Sequence, residues 1–222
     1  MIAKTLINLV TKSPIIRNSN FSITKRLLNN KPRNRVENYP RRAYTRLPKT
    51  PDLIYIPHVI RWLKTKFQFK YLKRTWDPEF TEGAFIYGTS KAVCRITEII
   101  HENDMAQLDG LLTDSAKMKL KQDLKTRITK AQRAIIKLKP EDIKILVPMN
   151  VCLKEEGLQR NCRVGMRVLA LKWIQQKTGA LRLVLVALQT EFMKEYREGG
   201  TSDWTISAFD IMECAILTQS PS

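Results

Sequence analysis

The spacing of apolar residues changes at Pro140, and this change constrains the fold more than any other feature of the sequence. Before Pro140, apolar side chains recur every three or four residues, which is the period of an amphipathic helix. After it, apolar residues alternate with other residues, beginning at Ile143, Ile145 and Val147, which is the period of a strand. Helices followed by a series of strands indicate an α+β fold with an antiparallel sheet.

The first predicted helix spans residues 58–74 and is strongly basic. Trp62, Phe69 and Leu72 fall on one side of it at helical spacing. Aromatic rings beside cations suit an anionic lipid surface or ribosomal RNA, because both present phosphates. The alternative is a helix that docks on its own domain and leaves a solvated basic face. The cations that would face the membrane or the ribosome are Arg61, Lys64, Lys66, Lys70, Lys73 and Arg74.

Two further helices are predicted before Pro140. The second runs from about residue 80 to residue 102, and Gly83 and Gly88 within it lower its helix propensity. Glycines at these positions favour a close packing partner there. The third helix is predicted from about residue 114 to residue 137. Nine basic residues lie within it and just after it, which is typical of a solvated face and also suits an anionic partner.

The strands after Pro140 are predicted to form a meander. Its turns are expected at residues 155–157, 175–179 and 199–200, and a last strand follows them. The two runs between the turns, residues 162–174 and 181–192, are apolar on both sides near their centres. Strands of that composition are covered on both faces of the sheet.

The first fifty residues differ in composition from the rest of the chain. They hold 12 of the 39 Lys and Arg residues and a single acid, so most of the formal charge of +18 lies there. A start that is rich in Arg and hydroxyl groups and almost free of acids is typical of a mitochondrial transit peptide. Arg42, Tyr44 and Thr45 resemble the matrix-processing pattern, and cleavage is predicted after Tyr44. The alternative is a disordered basic arm that binds nucleic acid.

The prolines at 48, 51 and 57 separate this stretch from the domain, because proline and the residue before it avoid helix. No apolar run reaches the roughly 18 residues that a membrane-spanning helix needs. We therefore predict no transmembrane helix. The predicted divisions are a transit peptide over 1–44, a linker over 45–57, one α+β domain over 58–215 and a tail over 216–222.

The sequence offers little catalytic chemistry. It contains no Walker-type loop, no G-x-G-x-x-G, no G-x-S-x-G elbow and no H-E-x-x-H pattern. Its two histidines, His58 and His101, are isolated, and its four cysteines form no C-x-x-C pair. Glu191 and Asp210 are candidates for acid–base chemistry only because they lie in predicted strands. The sequence therefore predicts a non-enzymatic protein without a metal or a cofactor.

Two stretches of the chain resemble a known family. The stretch from Asp77 to Phe85 reads Asp-Pro-Glu-Phe-Thr-Glu-Gly-Ala-Phe, and the one from Gly199 to Ile206 reads Gly-Gly-Thr-Ser-Asp-Trp-Thr-Ile. Both are similar to the matrix AAA protease-interacting protein family of mitochondria. The resemblance covers about residues 57–215 and is strongest at its two ends. The residues that carry it are Asp77, Phe80, Gly83, Asp203 and Trp204.

The resemblance implies a fold, a location and a set of partners. The fold would be that of the C-terminal domain of the import-motor anchor, a curved, cone-like antiparallel sheet packed by helices around a hydrophobic pocket. The protein would be an adaptor in the mitochondrial matrix, peripheral to the inner membrane, that associates with the matrix AAA protease and with mitoribosomes. Its client would be the essential regulator subunit of the calcium uniporter, which it would help to sort or protect. The same superfamily implies an alternative, a large-subunit mitoribosomal protein that faces the inner membrane.

Overall fold

The computed structural model describes residues 48–157, 159–176, 179–197 and 200–219. In these ranges helices precede an antiparallel sheet, so the predicted α+β class is confirmed. The predicted transit peptide over residues 1–44, with Arg42, Tyr44 and Thr45 at its processing site, lies outside the described residues. None of the helices in the described ranges is long and apolar enough to cross a membrane, as predicted.

The helices of the described chain lie close to the predicted positions, with one exception. In chain order they are α1 (Val59–Thr75), α2 (Glu82–Glu102), α3 (Asp114–Thr126) and α4 (Lys130–Ile135), with short 3-10 turns at Met105–Leu108 and Pro140–Asp142. The prediction of one helix over residues 114–137 is wrong, because Thr129 starts a new helix. Its hydroxyl accepts from the backbone N–H of Gln132, whose side chain accepts from the backbone N–H of Thr129. This capping box satisfies helix-terminal donors and favours a new start there.

Four long strands form an antiparallel meander in the order β1, β2, β3, β5, and the short β4 pairs with the end of β3. Gly157 and Gly179, in two of the predicted turns, have φ of 61° and 83°, a region that glycine reaches at little steric cost. The prediction that the domain ends at residue 215 and a tail begins at residue 216 is wrong, because β5 pairs with β3 as far as Gln219. The strands are β1 (Ile143–Glu156), β2 (Gln159–Gln175), β3 (Leu181–Arg197), β4 (Gly200–Thr201) and β5 (Thr205–Gln219).

The helices cover one face of the sheet and form the main core with it. Alternate residues of β2 point to this face, and apolar residues of α2 at helical spacing pack against them. Fully burying one such aliphatic side chain contributes about 1.5–3 kcal/mol, so this layer fixes α2 against the strands. The fully buried members on these two elements are Cys162, Val164, Met166, Val168 and Ala170 of β2 and Val93, Ile96, Ile99 and Ile100 of α2.

The opposite face of the sheet carries a second, smaller apolar layer, which confirms that the central strands are covered on both faces. Leu171, Leu183 and Leu185 are buried there, and Leu53 packs against them. Tyr55 packs on the same side, against a neighbouring apolar group of β1 and β2. The described part of the predicted linker is therefore extended, as its prolines indicate, and it also contributes packing to the domain.

The outer edge of β5 is partly covered by backbone from the helical half of the chain. The N–H of Thr113 donates to the carbonyl of Ile206 at 2.9 Å, and the N–H of Ile206 donates to the carbonyl of Leu111 at 3.1 Å. Farther along, the side-chain amide of Gln132 donates to the carbonyl of Cys214 at 3.1 Å. These bonds link the segment before α3, and α4 itself, to the edge strand.

Candidate interaction surfaces

Helix α1 has apolar residues on two opposite sides. Thr65, Phe69 and Leu72 are buried against the domain, and the ring of Phe69 stacks on Phe80 with centroids 5.3 Å apart. On the far side, four apolar residues recur at intervals of three and four, so they form one continuous row. This row, which we call the outer ridge, consists of Ile60, Leu63, Phe67 and Tyr71, whose exposed fractions are 73%, 46%, 62% and 50%.

The sequence pattern did not distinguish the outer ridge from the buried side of α1. Phe69 and Leu72 are buried as predicted, whereas Trp62, which was placed with them, is 49% exposed. A helix with two apolar faces gives a weak amphipathic pattern, because the opposed faces cancel. The signal that could have identified the ridge is the second series of apolar residues, offset by about half a turn from the first.

Five of the six cations predicted on α1 lie exposed, and three of them border the outer ridge. Lys64, Lys70 and Arg74 line an open groove of about 760 Å³ together with the ridge and Leu153 of β1. Lysine and arginine side chains can lay their methylene stems on such an apolar surface and keep their charges in water. The exposed cations are Arg61, Lys64, Lys70, Lys73 and Arg74.

Lys66 is the exception among these cations, because it is paired within the domain. Its ammonium lies 2.6 Å from the carboxylate of Glu82, in the first turn of α2. It also lies 5.9 Å from the centre of the Trp62 ring, within the range of a cation–π contact. Lys66 therefore links α1 to α2 and is less available to an anionic partner than the other five.

The two stretches that carry the family resemblance meet in one aromatic cluster. The ring of Trp204 lies 4.7 Å from that of Phe85 and 6.3 Å from that of Phe80, measured between centroids. Phe192 of β3 joins them, with its ring 5.5 Å from Phe85. Aromatic pairs at these distances contribute about 0.5–1.5 kcal/mol each beyond their buried area. Of the other three residues of the resemblance, Gly83 and Asp203 lie exposed on the surface.

Asp77 binds two polar side chains of β3 beside this cluster. Its carboxylate lies 2.8 Å from the ammonium of Lys194 and accepts from the hydroxyl of Tyr196 at 3.0 Å. Burial raises the pKa of Asp77, but the hydrogen bonds from Lys194 and Tyr196 and the charge of Lys194 outweigh it, so the pKa lies below its usual value. Burial, and then the neighbouring carboxylate, hold the pKa of Tyr196 well above its usual range.

Lys194 and Tyr196 were not predicted as site residues from the sequence. Both alternate with Phe192 on the face of β3 that packs against the helices, where apolar residues are expected. A lysine on the buried face of a strand needs a counter-charge, because an unpaired buried charge is costly. That irregularity is the signal that could have pointed to a carboxylate partner.

A cleft of about 420 Å³ opens between the first half of α2 and the aromatic cluster. We call it the α2 cleft. One wall is a row of small residues, Ala84, Gly88 and Ala92, and the other is aromatic, with Phe85, Phe192 and Trp204. The row and the rings make most of the lining apolar.

Polar groups enter the α2 cleft at a few points only. Thr89 lines it and is 1% exposed, and its hydroxyl has no hydrogen-bond partner among the described residues. The charged residues in its lining are Asp77, Glu79 and Lys194. Because Asp77 and Lys194 pair with each other, Glu79 leaves the cleft with a net negative charge.

The two carboxylates considered for acid–base chemistry do not line the α2 cleft. Glu191 accepts from the hydroxyl of Ser207 at 2.8 Å, and its nearest cation is the guanidinium of Arg163 at 3.9 Å. Asp210 pairs with Lys119 of α3. Each therefore has a partner of its own, on residues that the cleft does not include.

Comparison of the chain with models of protein families gives no match. The search of curated proteins gives none either. The likeness to the matrix AAA protease-interacting family therefore rests on the residues themselves. Of these, Asp77, Phe80 and Trp204 lie around the α2 cleft, and Gly83 and Asp203 lie on the surface nearby in the chain.

Proposed function

We propose that the protein is a non-enzymatic adaptor that binds the anionic matrix face of the mitochondrial inner membrane through helix α1. There it associates with the matrix AAA protease and with mitoribosomes, and it helps to sort or protect the essential regulator subunit of the calcium uniporter. The membrane contact is supported by the geometry of α1. The location, the protease, the ribosome and the client are carried over from the family resemblance, as is the cone-like fold of the import-motor anchor.

The single observation that carries the membrane contact is the exposed outer ridge bordered by cations. An interfacial helix places its apolar side in the boundary between headgroups and acyl chains and its cations on lipid phosphates. Near an anionic membrane, each Lys or Arg contributes about 1 kcal/mol. Tyr71 and Trp62, both half exposed, are of the residue types that favour the headgroup level.

The outer ridge also supports lipid over RNA as the anionic partner. Cations bind the phosphates of either one, so charge alone does not choose between them. Exposed aliphatic side chains such as Ile60 and Leu63 gain free energy when they leave water for an acyl-chain region. RNA offers flat base faces and phosphates, which favour aromatic residues and cations over aliphatic ones. The outer ridge therefore favours the lipid surface.

The test is sedimentation of the full chain with vesicles of phosphatidylcholine and cardiolipin at physiological salt. The first variant changes Lys64, Lys70 and Arg74 to Glu. The control changes Lys121, Lys125 and Lys130 to Glu, which alters the net charge equally but near β5, at the opposite edge of the sheet from α1. We expect the α1 variant to leave the vesicles and the control to stay bound.

Two results would contradict the proposal. If both variants dissociate equally, or neither does, α1 is not the membrane contact. If the α1 variant keeps its vesicle binding but no longer sediments with the large ribosomal subunit, the helix binds RNA. The alternative of a mitoribosomal protein facing the inner membrane would then replace the adaptor.

A further inference from the structure

The geometry of the α2 cleft points to a binding site for an apolar helical segment of a partner protein. That segment carries small residues where it crosses Gly88 and a basic residue beside Glu79. The inference rests on the proposed function, because it gives the chemistry of the client that the adaptor holds. It concerns a different surface from the outer ridge, so the two can be tested separately.

The small-residue wall of the α2 cleft admits another helix at close range. Ala84, Gly88 and Ala92 are four residues apart, so they lie in one row along α2. Apart from its chain neighbours and the nearby backbone of α2 itself, a β-carbon at Gly88 would have no described atom within 4 Å. Rows of small residues at this spacing let two helix backbones approach closely. Glycine within a helix costs about 1 kcal/mol relative to alanine, and no packing within the described domain requires it here.

The hydroxyl of Thr89 is a second and independent indication of a ligand. The hydroxyl is buried and lacks a hydrogen-bond partner in the described chain, and Thr89 is one of the residues that line the cleft. A buried polar group left in that state costs about 1–3 kcal/mol. Rotation of the Thr89 side chain toward the cleft would let a carbonyl, hydroxyl or amide group of a bound segment remove this cost.

The aromatic wall and the charge of the cleft define the rest of the ligand. Phe85, Phe192 and Trp204 favour aliphatic side chains opposite the small-residue row. Glu79 is exposed at the cleft and forms no ion pair with any described residue. Charge complementarity therefore favours a basic residue beside Glu79. The same negative charge disfavours a fatty acid or a phospholipid headgroup, which would bring an anion to the site.

The probe is a fluorescently labelled synthetic helix of Leu and Ala, with small residues at intervals of four and Lys at both ends. Its binding to the full chain is measured by fluorescence anisotropy without lipid. We expect Gly88→Leu to weaken binding at least about tenfold, a loss of about 1.4 kcal/mol, because the new side chain fills the row. Leucine has the higher helix propensity, so the variant is expected to fold.

Gly83→Leu is the matched control. It makes the same change in the same helix, at a glycine that is equally open but does not line the cleft. We expect it to bind the probe like the wild type. Glu79→Lys should weaken binding of the Lys-flanked helix and strengthen binding of an otherwise identical helix flanked by Glu.

Equal affinity of the wild type and Gly88→Leu would overturn the inference. Tighter binding of a medium-chain fatty acid than of the helix would also overturn it, since the site would then select an anionic amphiphile. Vesicle binding is measured on the same Gly88→Leu protein and should be unchanged. If the wild type itself does not bind vesicles, the membrane proposal is refuted and the result for the cleft still stands.

Discussion

The carboxylate of Asp77 lies 2.8 Å from the ammonium of Lys194, although 117 residues separate them in the sequence. Their side chains are only 12% and 15% exposed, so water screens the pair poorly. The hydroxyl of Tyr196 binds the same carboxylate oxygen. This contact ties the turn between α1 and α2 to the end of β3, next to the aromatic cluster.

We expect Asp77→Asn to lower the free energy of unfolding at neutral pH by about 1.5–3 kcal/mol, the range for hydrogen bonds to a charged group. The pKa of Asp77 is lowered in the folded protein from its ordinary value of 3.8. The stabilisation is therefore fully present above that value and is lost as the pH falls through the lowered pKa. Urea unfolding at several pH values should show the wild type and the variant converging in acid.

The control for this pH dependence is Glu155→Gln. Its partner Arg160 lies at 2.8 Å, but both side chains are nearly half exposed, so the loss should be about 1 kcal/mol or less. A gap between wild type and Asp77→Asn that stays constant from neutral to acid pH would contradict the assigned role of the Asp77 carboxylate.

Two phenylalanines should separate stability from membrane binding. Phe85→Ala should cost about 3–5 kcal/mol of unfolding free energy, because it leaves a cavity among four aromatic rings. Phe67→Ala, at a side chain that is 62% exposed, should change stability by about 0.5 kcal/mol or less. Vesicle sedimentation should nevertheless fall for Phe67→Ala. A Phe67→Ala protein that binds vesicles like the wild type would argue against the outer ridge.

Thr129→Ala should lower stability by about 1 kcal/mol, because it removes the cap of α4. Thr129→Ser keeps a hydroxyl at the same position and should retain most of that stability. Both are measured by urea unfolding monitored by circular dichroism. An alanine variant as stable as the serine variant would show that the capping box does not determine the break between α3 and α4.

Three cysteines should resist alkylation in the folded protein. Burial raises the pKa of Cys162 to about 12 and those of Cys94 and Cys214 to about 11. At pH 8 a thiol of pKa 12 is ionised in about one molecule in 10,000, and only the thiolate reacts. Cys152, which is half-buried, should react with iodoacetamide first, as read by mass spectrometry. In urea all four should react, and rapid labelling of Cys162 without urea would contradict its burial.

The sequence predicted the elements whose periodicity is strong and local. The bounds of α1 and α2 and the turns at Gly157 and Gly179 follow from residues close together in the chain. The break at Thr129 was missed because the apolar stripe of the predicted third helix continues across it. There a local capping preference outweighs a pattern that extends over the whole segment.

The candidate surfaces were less predictable, because they depend on distant pairings. The six cations of α1 look equivalent in the sequence, and only the position of α2 against α1 pairs Lys66 with Glu82. The partners of Asp77 lie on β3, so only the folded arrangement of helix and sheet identifies them. Gly88 was expected to have a close packing partner, and none of its described surroundings supplies one.

The hydrogen bonds that Leu111 and Thr113 make to Ile206 have a further consequence for behaviour at high concentration. An uncovered edge strand offers free backbone donors and acceptors on which a second chain can extend the sheet. At the start of β5 those groups are already engaged by the chain's own segment, and Gln132 engages another near Cys214. The protein can thus expose the apolar outer ridge of α1 while it discourages strand-by-strand aggregation at this margin of its sheet.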